Sequence, residues 1–417
     1  MQKNEALQLI AATLLKPIEV TLRNIPDIGD IRSMLLLYKT LGGKAEYDTS
    51  TETLVLNSYG IQESNQFSQE YEENFSSIRA SIMFVGPLLS RFNEVLVPDT
   101  GGDNIGQRSL AAHLEGFEAL GCKTDFGPKG RIISYVSCSR RNYELSEISV
   151  TASANLLMLA CGCNLELRLE NVAIEPYVVS LSELLIKLGY PIEGIGSNVL
   201  NLYQKKNQDN IKDVLHVTGP DFIEASGIIA LSVATRSNII IKGISLSQLG
   251  KLVYFYKYLG VNIVENDQGV YVDLKSDFKV KKSIDNKRIQ IYDAPWPGLS
   301  PDVMSTMLVS ALFLEGVSIF HQKMFEGRLF FTDRLIRMGA DIILCDPHRA
   351  IIIGNRGTQL KSSKMSSPDI RAGMALVIAA ITADGESEIS NFYQVERGYS
   401  NLVRRLTRLG VSIEKSA

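Results

Sequence analysis

The chain repeats one short sequence pattern six times, and this repetition constrains its fold more than any single motif. In each copy, a hydrophobic residue and a glycine end an amphipathic stretch, and a short strand pattern follows. The copies are Leu41-Gly42, Leu120-Gly121, Leu188-Gly189, Leu259-Gly260, Met338-Gly339 and Leu409-Gly410. Successive glycines are 79, 68, 71, 79 and 71 residues apart. This period is too long for a thin solenoid and indicates a small α/β module built repeatedly.

Each module has the same predicted order of elements. An apolar helix comes first, followed by a strand such as residues 19–22 or 238–241. An amphipathic helix such as 30–41 then ends at the repeated glycine, which enters the left-handed conformation without steric cost. One or two strands, such as residues 44–47, complete the module. The predicted apolar helices are residues 5–15, 78–92, 152–161, 222–235, 303–314 and 370–382.

These modules favour an α/β fold of the α+β kind, with sheets outside and helices inside. Helices that are apolar almost all round must be surrounded by protein. The regular short units of a TIM barrel and the glycine-rich first turn of a Rossmann domain do not occur. Three modules per domain is the expected division. The first domain would cover residues 3–213 and the second residues 214–417, with a polar stretch before the boundary.

Composition excludes several classes of partner and location. The net charge of -3 gives no reason to expect nucleic acid or an anionic membrane as a partner, and apolar runs are too short to span a bilayer. Five scattered cysteines without a CxxC pattern favour a reducing cytoplasm over a disulfide framework or a zinc site. The polar first residues do not resemble a signal peptide. No metal and no cofactor are expected.

Polar or charged residues begin every predicted buried helix. Aspartates begin three of them, where capping of free N–H groups explains their position: Asp221, Asp302 and Asp369. Cations begin three others, where their charge opposes the helix dipole: Lys3, Arg79 and Arg371. If these helix ends converge, the cations and the oriented N–H groups would form an anion site. Simple capping is the alternative interpretation.

Three further segments carry residues suited to chemistry. Residues 100–108 contain three glycines around Asp103 and end at Arg108, so this loop could approach a ligand closely, although a surface turn has similar composition. Residues 293–302 contain three prolines and the only tryptophan, and lead to Asp302. Residues 396–399 place Arg397 between a predicted strand and the last amphipathic helix.

Together these segments resemble the enolpyruvyl transferases, and within that family the members that act on UDP-N-acetylglucosamine. The resemblance covers essentially the whole chain, and the signatures of the branch that uses shikimate 3-phosphate are not found. The matching segments are Lys3-Asn4-Glu5-Ala6-Leu7, Ile78-Arg79-Ala80-Ser81, Gly86-Pro87-Leu88, residues 101–108, residues 294–302, Phe325-Glu326-Gly327-Arg328, Asp369-Ile370-Arg371-Ala372 and Arg397-Gly398-Tyr399.

The resemblance implies a two-domain inside-out α/β barrel of six βαβαββ modules, closing over a cleft. It also implies transfer of the enolpyruvyl group of phosphoenolpyruvate to the 3-hydroxyl of UDP-N-acetylglucosamine, with release of phosphate. This reaction is the first committed step of bacterial peptidoglycan synthesis. These two small molecules are therefore the expected partners, without nucleic acid or membrane insertion.

The resemblance also assigns site residues. The catalytic residues would be Asp103, Lys3, Asp302 and Arg397. The residues binding phosphoenolpyruvate would be Lys3, Asn4, Arg108, Arg371 and Arg397. The residues binding UDP-N-acetylglucosamine would be Asn4, Arg79, Arg108, Ser109, Leu110, Ala111, Ala112, Ser149, Val150, Asp302 and Met324.

Two aspartates carry the expected proton chemistry. Asp302 is the candidate base beside the sugar hydroxyl. Asp103 stands where most family members place a reactive cysteine, and it could act as a general acid if the site raises its pKa. An aspartate cannot form the thioether by which fosfomycin inactivates the cysteine enzymes, so we expect intrinsic fosfomycin resistance.

Several departures from the family pattern leave alternatives open. Ala111 replaces a common aspartate, Glu147 stands where lysine is frequent, and Phe222 stands where arginine is common. Family members also have further residues before the Lys-Asn pair, whereas only Met1 and Gln2 precede Lys3 here. We expect a start upstream, and Lys3 on a frayed terminus. The alternatives are transfer to another acceptor, such as shikimate 3-phosphate, and an inactive paralogue that binds a UDP-sugar.

Overall fold

The computed structural model describes residues 2–102, 109–205, 211 and 213–415. The chain forms two compact units, of which the first ends at Gly219 and the second begins at Pro220. The strand Val214–Val217 pairs in parallel with the strand Glu19–Arg23 at the start of the chain. The sequence placed the domain boundary between residues 213 and 214, ahead of this strand. In the structure, the last strand of the first unit pairs with its first strand.

The first unit contains seven of the described helices and eleven of the described strands. The helices are α1 (Lys3–Ala12), α2 (Gly29–Thr40), α3 (Gln69–Ser76), α4 (Val85–Phe92), α5 (Ala111–Ala119), α6 (Val150–Gly162) and α7 (Pro176–Lys187). The strands are β1 (Glu19–Arg23), β2 (Lys44–Asp48), β3 (Thr53–Asn57), β4 (Glu94–Val97), β5 (Cys122–Gly127), β6 (Gly130–Tyr135), β7 (Asn142–Glu144), β8 (Leu167–Glu170), β9 (Ile192–Glu193), β10 (Val199–Leu202) and β11 (Val214–Val217).

The second unit contains the remaining described elements. The helices are α8 (Phe222–Thr235), α9 (Lys251–Tyr258), α10 (Met304–Ala311), α11 (Thr332–Arg337), α12 (Ile370–Thr382), α13 (Tyr393–Glu396) and α14 (Leu402–Arg408). The strands are β12 (Ile263–Asn266), β13 (Gly269–Val272), β14 (Gln290–Tyr292), β15 (Gly316–His321), β16 (Ile342–Asp346), β17 (Arg349–Gly354), β18 (Leu360–Lys361), β19 (Lys364–Ser366), β20 (Ala383–Asp384) and β21 (Glu388–Ser390).

Three sheets share one topology, which is the structural form of the sequence repeat. Their strand orders are β11-β1-β3-β2, β7-β8-β10-β9 and β14-β15-β17-β16. In each sheet the first pair of strands is parallel and the other pairs are antiparallel. The other sheets among the described residues are smaller, with orders β4-β6-β5, β12-β13, β18-β20 and β19-β21. The chain therefore has a two-domain α/β fold built from related modules.

The first helix of each module is buried, as the sequence predicted. In α10 every residue is buried, and in α12 every residue from Ile370 to Ala379 is buried. In the second unit α8, α10 and α12 pack against one another. In the first unit α1 packs against α7, and α4 packs against α6. Most side chains of these helices are therefore surrounded by protein rather than by water.

The repeated glycines end helices, as predicted. All six have a positive φ, between +79° at Gly260 and +98° at Gly42. Each follows the helix that the pattern predicted: α2, α5, α7, α9, α11 and α14. The hydrophobic residue before the glycine is buried in five copies and holds the helix end against the core, whereas Leu409 is exposed.

Some predicted elements are wrong. Residues 238–240 form no strand; only Ile241 bridges Val270, because a strand requires a partner along its length and the described neighbours give it one contact. Residues 411–415 after the last glycine also form no strand. The predicted helix 78–92 is divided into a 3₁₀ turn, Arg79–Phe84, and α4. Pro87 lacks the N–H that a continuous α-helix would need there.

Two of the repeated glycines, Gly260 and Gly339, differ in the space around them. Alanine substitutions at these positions can therefore separate the cost of a strained backbone from the cost of steric overlap. A Cβ at Gly260 would lie 2.1 Å from the carbonyl oxygen of Lys279, whereas a Cβ at Gly339 meets no described atom within 4 Å. We expect Gly339→Ala to lower the free energy of unfolding by about 1 kcal/mol, because alanine in the left-handed region is strained. Gly260→Ala should cost at least about 1 kcal/mol more, because the backbone must also move. Urea unfolding of both variants measures this, and equal losses would contradict the packing described.

Candidate active site

A carboxylate held between two buried guanidinium groups lies in the second unit. Asp302 Oδ1 is 2.6 Å from Arg328 Nη2, and Asp302 Oδ2 is 3.1 Å from Arg371 Nε. Arg328 is 7% exposed and Arg371 is 3% exposed. Arginine is seldom buried to this extent unless it is paired, so the cluster depends on Asp302. The two positive charges exceed its single negative charge.

Local structure places two members of this cluster, Asp302 and Arg371, at helix starts. Asp302 lies in a 3₁₀ turn, Pro301–Val303, directly before α10, and the Ser300 hydroxyl accepts its N–H at 3.3 Å. Arg371 lies in the first turn of α12, where Asp369 Oδ1 accepts the N–H groups of Arg371 and Ala372 at 2.7 and 2.9 Å. The predicted aspartate cap is therefore confirmed at α12. The cation that the sequence placed at this helix start is paired with Asp302.

Both guanidinium groups keep buried N–H groups without a hydrogen-bond partner among the described residues. These are Arg328 Nε and Arg371 Nη1. The Arg371 guanidinium also lies over the Tyr399 ring, 5.6 Å from its centroid. Burial lowers the pKa of Arg371, but Asp302, Tyr399 and Asp221 outweigh this effect and leave it raised. A permanently charged group with an unused buried donor is suited to an anionic ligand.

Other predicted residues of the second unit lie around this cluster. Asp221 caps α8 by accepting the N–H groups of Ile223 and Glu224 at 2.9 and 3.0 Å. Burial raises the pKa of Asp221, and the nearby charge of Arg371 opposes that rise. The Glu224 carboxylate pairs with Arg405. Asp221 therefore places a second carboxylate near Arg371, whereas the charge of Glu224 is balanced by Arg405.

Arg397 and Met324 lie on two other segments of the second unit. Arg397 is half-buried at the end of α13, which packs against α12, and its Nη1 donates to Gln394 Oε1 at 2.7 Å. Met324 is 37% exposed and follows β15. Its backbone N–H donates to the buried carboxylate of Asp293 at 3.2 Å. An exposed thioether on a fixed backbone is suited to an apolar contact with a ligand.

In the first unit, Arg79 joins the two ends of the glycine-rich loop. Its Nη1 donates to Thr100 Oγ1 at 2.9 Å, and its Nη2 donates to the Ser109 carbonyl at 3.0 Å. The Ser109 hydroxyl in turn accepts the N–H of Ala111 at 2.9 Å, where α5 begins. Asp103 and Arg108, which the sequence placed in the site, lie outside the described residues.

A buried histidine links the starts of α5 and α6. His113 Nε2 lies 2.9 Å from Thr151 Oγ1, and His113 Nδ1 lies 3.2 Å from Asn155 Nδ2. Burial, together with the charge of Arg79, lowers the pKa of His113 to about 3, so the imidazole is neutral. Ser149 caps α6 by accepting the N–H of Ala152 at 3.3 Å. This network brings the predicted residues around Ser109 and Ser149 to adjacent helix starts.

Lys3 lies in the first turn of α1, so the expected frayed terminus is wrong. Its Nζ is 2.5 Å from Asp30 Oδ2, and both side chains are buried. The next carboxylate, Glu5, accepts the Ser180 hydroxyl at 2.6 Å and the N–H of Gly219 at 3.0 Å. Burial raises the pKa of Glu5 to about 7, although both hydrogen bonds oppose the shift. Asn4 is half-buried between Lys3 and Glu5.

Sequence reasoning missed several residues of these clusters. Arg328 stood in a quoted motif but was not named as a site residue, and its pairing with Asp302 joins positions far apart in the chain. Thr100, His113 and Thr151 carried no distinct signal, because a single histidine or threonine is common in any core. The departure at Phe222 is a packing feature, since its ring lies 5.4 Å from that of Trp296. Glu147 is exposed.

Clusters of metal-binding side chains and membrane-spanning helices are both absent from the part of the chain that the structure describes. Within it, no group of three or more histidine, cysteine, aspartate or glutamate side chains is arranged to hold a metal ion. None of its helices combines the length and the apolar character needed to cross a bilayer.

The chain matches a known family over nearly its whole length. The sequence profile of EPSP synthase (3-phosphoshikimate 1-carboxyvinyltransferase) matches residues 2–406. A UDP-N-acetylglucosamine 1-carboxyvinyltransferase from Bacteroides thetaiotaomicron is 39% identical over 99% of this chain and 95% of the relative. Proteins of the same name from Porphyromonas gingivalis and Borreliella burgdorferi are 39% and 38% identical over 99% of this chain and 95% and 94% of the relatives.

Solved structures share the fold at much lower sequence identity. The enolpyruvyl transferase NikO from Streptomyces tendae gives a TM-score of 0.82 at 17% identity, covering 99% of this chain and 94% of that one. EPSP synthase from Acinetobacter baumannii gives a TM-score of 0.71 at 16% identity, covering 100% of this chain and 96% of that one. These similarities establish the fold alone.

The raised pKa of Glu5 predicts how the stability of the chain depends on pH. The folded chain holds the Glu5 proton more tightly than the unfolded chain, because burial raises the pKa from 4.5 to about 7. Protonation therefore stabilises the fold fully below pH 4.5, and this contribution is lost as the pH rises towards 7. Glu5→Gln removes the ionisation. Between pH 5 and 8 the free energy of unfolding of the wild type should therefore fall relative to that of the variant. The gain should be at most about 3 kcal/mol, since one pKa unit is about 1.4 kcal/mol.

Urea unfolding at several pH values measures this difference. Glu63→Gln, which removes an exposed carboxylate of the same unit, serves as the control and should run parallel to the wild type. A difference between Glu5→Gln and the wild type that stays constant from pH 5 to 8 would show that Glu5 does not titrate in this range.

Proposed function

This chain belongs to the enolpyruvyl transferase family, and we propose that it transfers the enolpyruvyl group of phosphoenolpyruvate to the 3-hydroxyl of UDP-N-acetylglucosamine. The observation that carries the proposal is the 39% identity over 99% of the chain to enzymes of that name. The reaction releases phosphate and makes a precursor of peptidoglycan. The buried cluster of Asp302 and two arginines supports the proposal, because both the phosphate and the carboxylate of phosphoenolpyruvate are anions.

The chemistry is an addition followed by an elimination. In the addition, the sugar oxygen bonds to C2 of phosphoenolpyruvate, its hydroxyl proton goes to a base, and the methylene carbon C3 takes a proton from an acid. In the elimination, C3 loses a proton, the C2–O bond to phosphate breaks and the C2–C3 double bond is restored. We assign Asp302 as the base and Asp103 as the acid. Each oxygen of Asp302 accepts one guanidinium N–H, and an ionised carboxylate is an acceptor that can take up a proton.

The anionic substrate would be bound by several cations and one amide side chain. We assign Lys3, Asn4, Arg108, Arg371 and Arg397 to phosphoenolpyruvate, with Lys3 and Arg397 also acting in catalysis. To these we add Arg328, because its Nε is a buried donor without a described partner beside Asp302. Such fixed donors stabilise the charge that develops on phosphate as it leaves.

The nucleotide sugar would contact residues that lie mostly at or near helix starts. The assigned residues are Asn4, Arg79, Arg108, Ser109, Leu110, Ala111, Ala112, Ser149, Val150, Asp302 and Met324. In support, Arg79 contacts Ser109, and the buried His113 ties the start of α5 to that of α6. Helix N-termini carry free N–H groups suited to a diphosphate.

The proposed reaction also suggests where the enzyme acts. The five scattered cysteines, without a CxxC pattern, favour the cytoplasm. Peptidoglycan precursors made there would contribute to cell shape and to cell division. A role with shikimate 3-phosphate as acceptor is less well supported, because the solved EPSP synthases are only 16% identical to this chain.

The choice of acceptor can be tested by phosphate release. Purified protein with phosphoenolpyruvate should release phosphate when UDP-N-acetylglucosamine is added, and not when shikimate 3-phosphate is added. Release with shikimate 3-phosphate alone would overturn the assignment. Binding of the UDP-sugar without turnover would instead identify an inactive paralogue.

The role of Arg328 can be tested in the same assay. Arg328→Lys should lower kcat/KM by about 100-fold or more, because lysine cannot reproduce the fork of donors facing Asp302 and the leaving phosphate. Arg349→Lys provides a matched control, since Arg349 is an exposed arginine paired with Asp346 in the same unit. Unchanged turnover in Arg328→Lys would exclude Arg328 from the site.

The aspartate at position 103 predicts resistance to fosfomycin. Fosfomycin should not inactivate the wild-type enzyme with time, because a carboxylate does not form the thioether. Asp103→Cys should gain both time-dependent inactivation and the mass of one covalently bound inhibitor, as measured by intact mass spectrometry. Covalent modification of the wild-type chain at residue 103 would contradict the prediction.

A further inference from the structure

Asp293 is a fully buried carboxylate that lies outside the assigned site. Its side chain is 0% exposed and accepts three hydrogen bonds: from Gln322 Nε2 at 2.6 Å, from the Lys323 N–H at 2.5 Å and from the Met324 N–H at 3.2 Å. All three donors are neutral. Burying a carboxylate among neutral groups lowers the stability of the fold. In return, Asp293 holds the backbone N–H groups of Lys323 and Met324 in fixed positions.

The position of Asp293 in the sheet connects it to the site. β14 and β15 are parallel neighbours, with Tyr292 opposite His321. Asp293 directly follows β14, and Lys323 and Met324 follow β15 by one residue. Two segments therefore leave the same edge of the sheet side by side. The first, residues 294–301, leads to Asp302, and the second leads through residues 325–327 to Arg328.

The two segments meet again at their far ends. Arg328 Nη2 lies 2.6 Å from Asp302 Oδ1. A carboxylate thus joins the segments where they leave the sheet, and an ion pair joins them at the site. We therefore expect a change in the position of one segment relative to the other at Asp293 to alter the geometry of this ion pair.

Both segments are stiff enough to transmit such a change. The first contains three prolines, and its Trp296 packs against Phe222, with ring centroids 5.4 Å apart. A Cβ on Gly250 would lie only 2.5 Å from the Trp296 ring, so this ring is closely packed. In the second segment, the Arg328 guanidinium lies over the Phe325 ring, 5.6 Å from its centroid.

We propose that Asp293 is a positioning residue that sets the geometry of the Asp302–Arg328 pair and the place of Met324. This proposal rests on the proposed function, because Asp302 and Arg328 are its assigned catalytic and anion-binding groups. Asp293 touches no substrate and acts through the two segments that it joins. A loss of alignment of this kind lowers the rate of the chemical step without removing any group that takes part in it.

A double-mutant cycle tests the coupling. Asp293→Asn keeps the size of the side chain but turns one acceptor oxygen into a donor, so at least one of the three hydrogen bonds is lost. We expect it to lower kcat by about 10- to 100-fold. In the double variant with Arg328→Lys, the fold-loss of kcat should be clearly smaller than the product of the two single losses. The reason is that both substitutions act on the same ion pair. If the two losses multiply, Asp293 acts independently of the pair and the proposal is overturned.

A control separates positioning from general loss of stability. Tyr256→Phe removes one buried hydroxyl contact, with Ser310 at 3.1 Å, elsewhere in the second unit. This variant should lower the free energy of unfolding and leave kcat unchanged. Added to Arg328→Lys, it should leave the kcat of that variant unchanged as well. If Asp293→Asn fails to fold, Gln322→Met removes only the side-chain donor and should show the same coupling with a smaller loss of kcat.

Amide hydrogen exchange gives a readout that does not depend on turnover. Asp293→Asn should exchange faster than the wild type in peptides covering residues 322–328 and also in those covering 299–303, on the other segment. If exchange is faster only in residues 322–324, Asp293 stabilises only the local turn after β15, and the proposal is overturned. If the wild type releases no phosphate at all, the proposed function fails, and the exchange result alone then decides whether Asp293 positions Asp302 and Arg328.

Discussion

The second unit is organised around the pairing of Asp302 with Arg328 and Arg371. Two guanidinium groups, each almost without solvent, need a carboxylate, and the carboxylate in turn needs a fixed backbone at the start of α10. The apolar helices make this arrangement possible, because they exclude water from the surroundings of their first turns. The same exclusion strengthens each charge interaction and makes every unmatched donor costly. The buried guanidinium donors that have no described partner are what suits the cluster to an anionic ligand.

The first unit supplies a different kind of arrangement, made mainly of neutral hydrogen bonds at helix starts. Arg79 bridges Thr100 and Ser109, and a neutral His113 joins α5 to α6. Here the cation holds the two ends of a loop in place, and the helix starts provide N–H groups. If the proposed UDP-sugar binds at these helix starts, the charges of its diphosphate would have to be balanced by the few cations that reach it.

Much of the fold could be predicted from the sequence, because it depends on local periodicity. The predicted limits of the helices at residues 222–235 and 370–382 coincide with α8 and α12, and all six repeated glycines end helices. The strand predicted at residues 238–241 failed because pairing depends on a neighbour that local pattern does not reveal. Asp302 and Arg371 were found through motif and helix position. Their direct contact could not be predicted, and neither could the roles of Arg328 and Asp293. The segments that carry Asp293 and Arg328 are brought together by the pairing of β14 with β15, and the spacing of residues along the chain does not reveal that pairing.

The proposed function requires the buried donors of Arg328 and Arg371 that have no described partner to receive the anionic substrate. The most direct measurement is a crystal structure of the protein with phosphoenolpyruvate and UDP-N-acetylglucosamine lacking its 3-hydroxyl, which cannot react. The account predicts phosphate or carboxylate oxygens within hydrogen-bond distance of Arg328 Nε and Arg371 Nη1, with Asp302 facing C3 of the sugar. Phosphoenolpyruvate bound away from both arginines, with these two donors still unused, would contradict it.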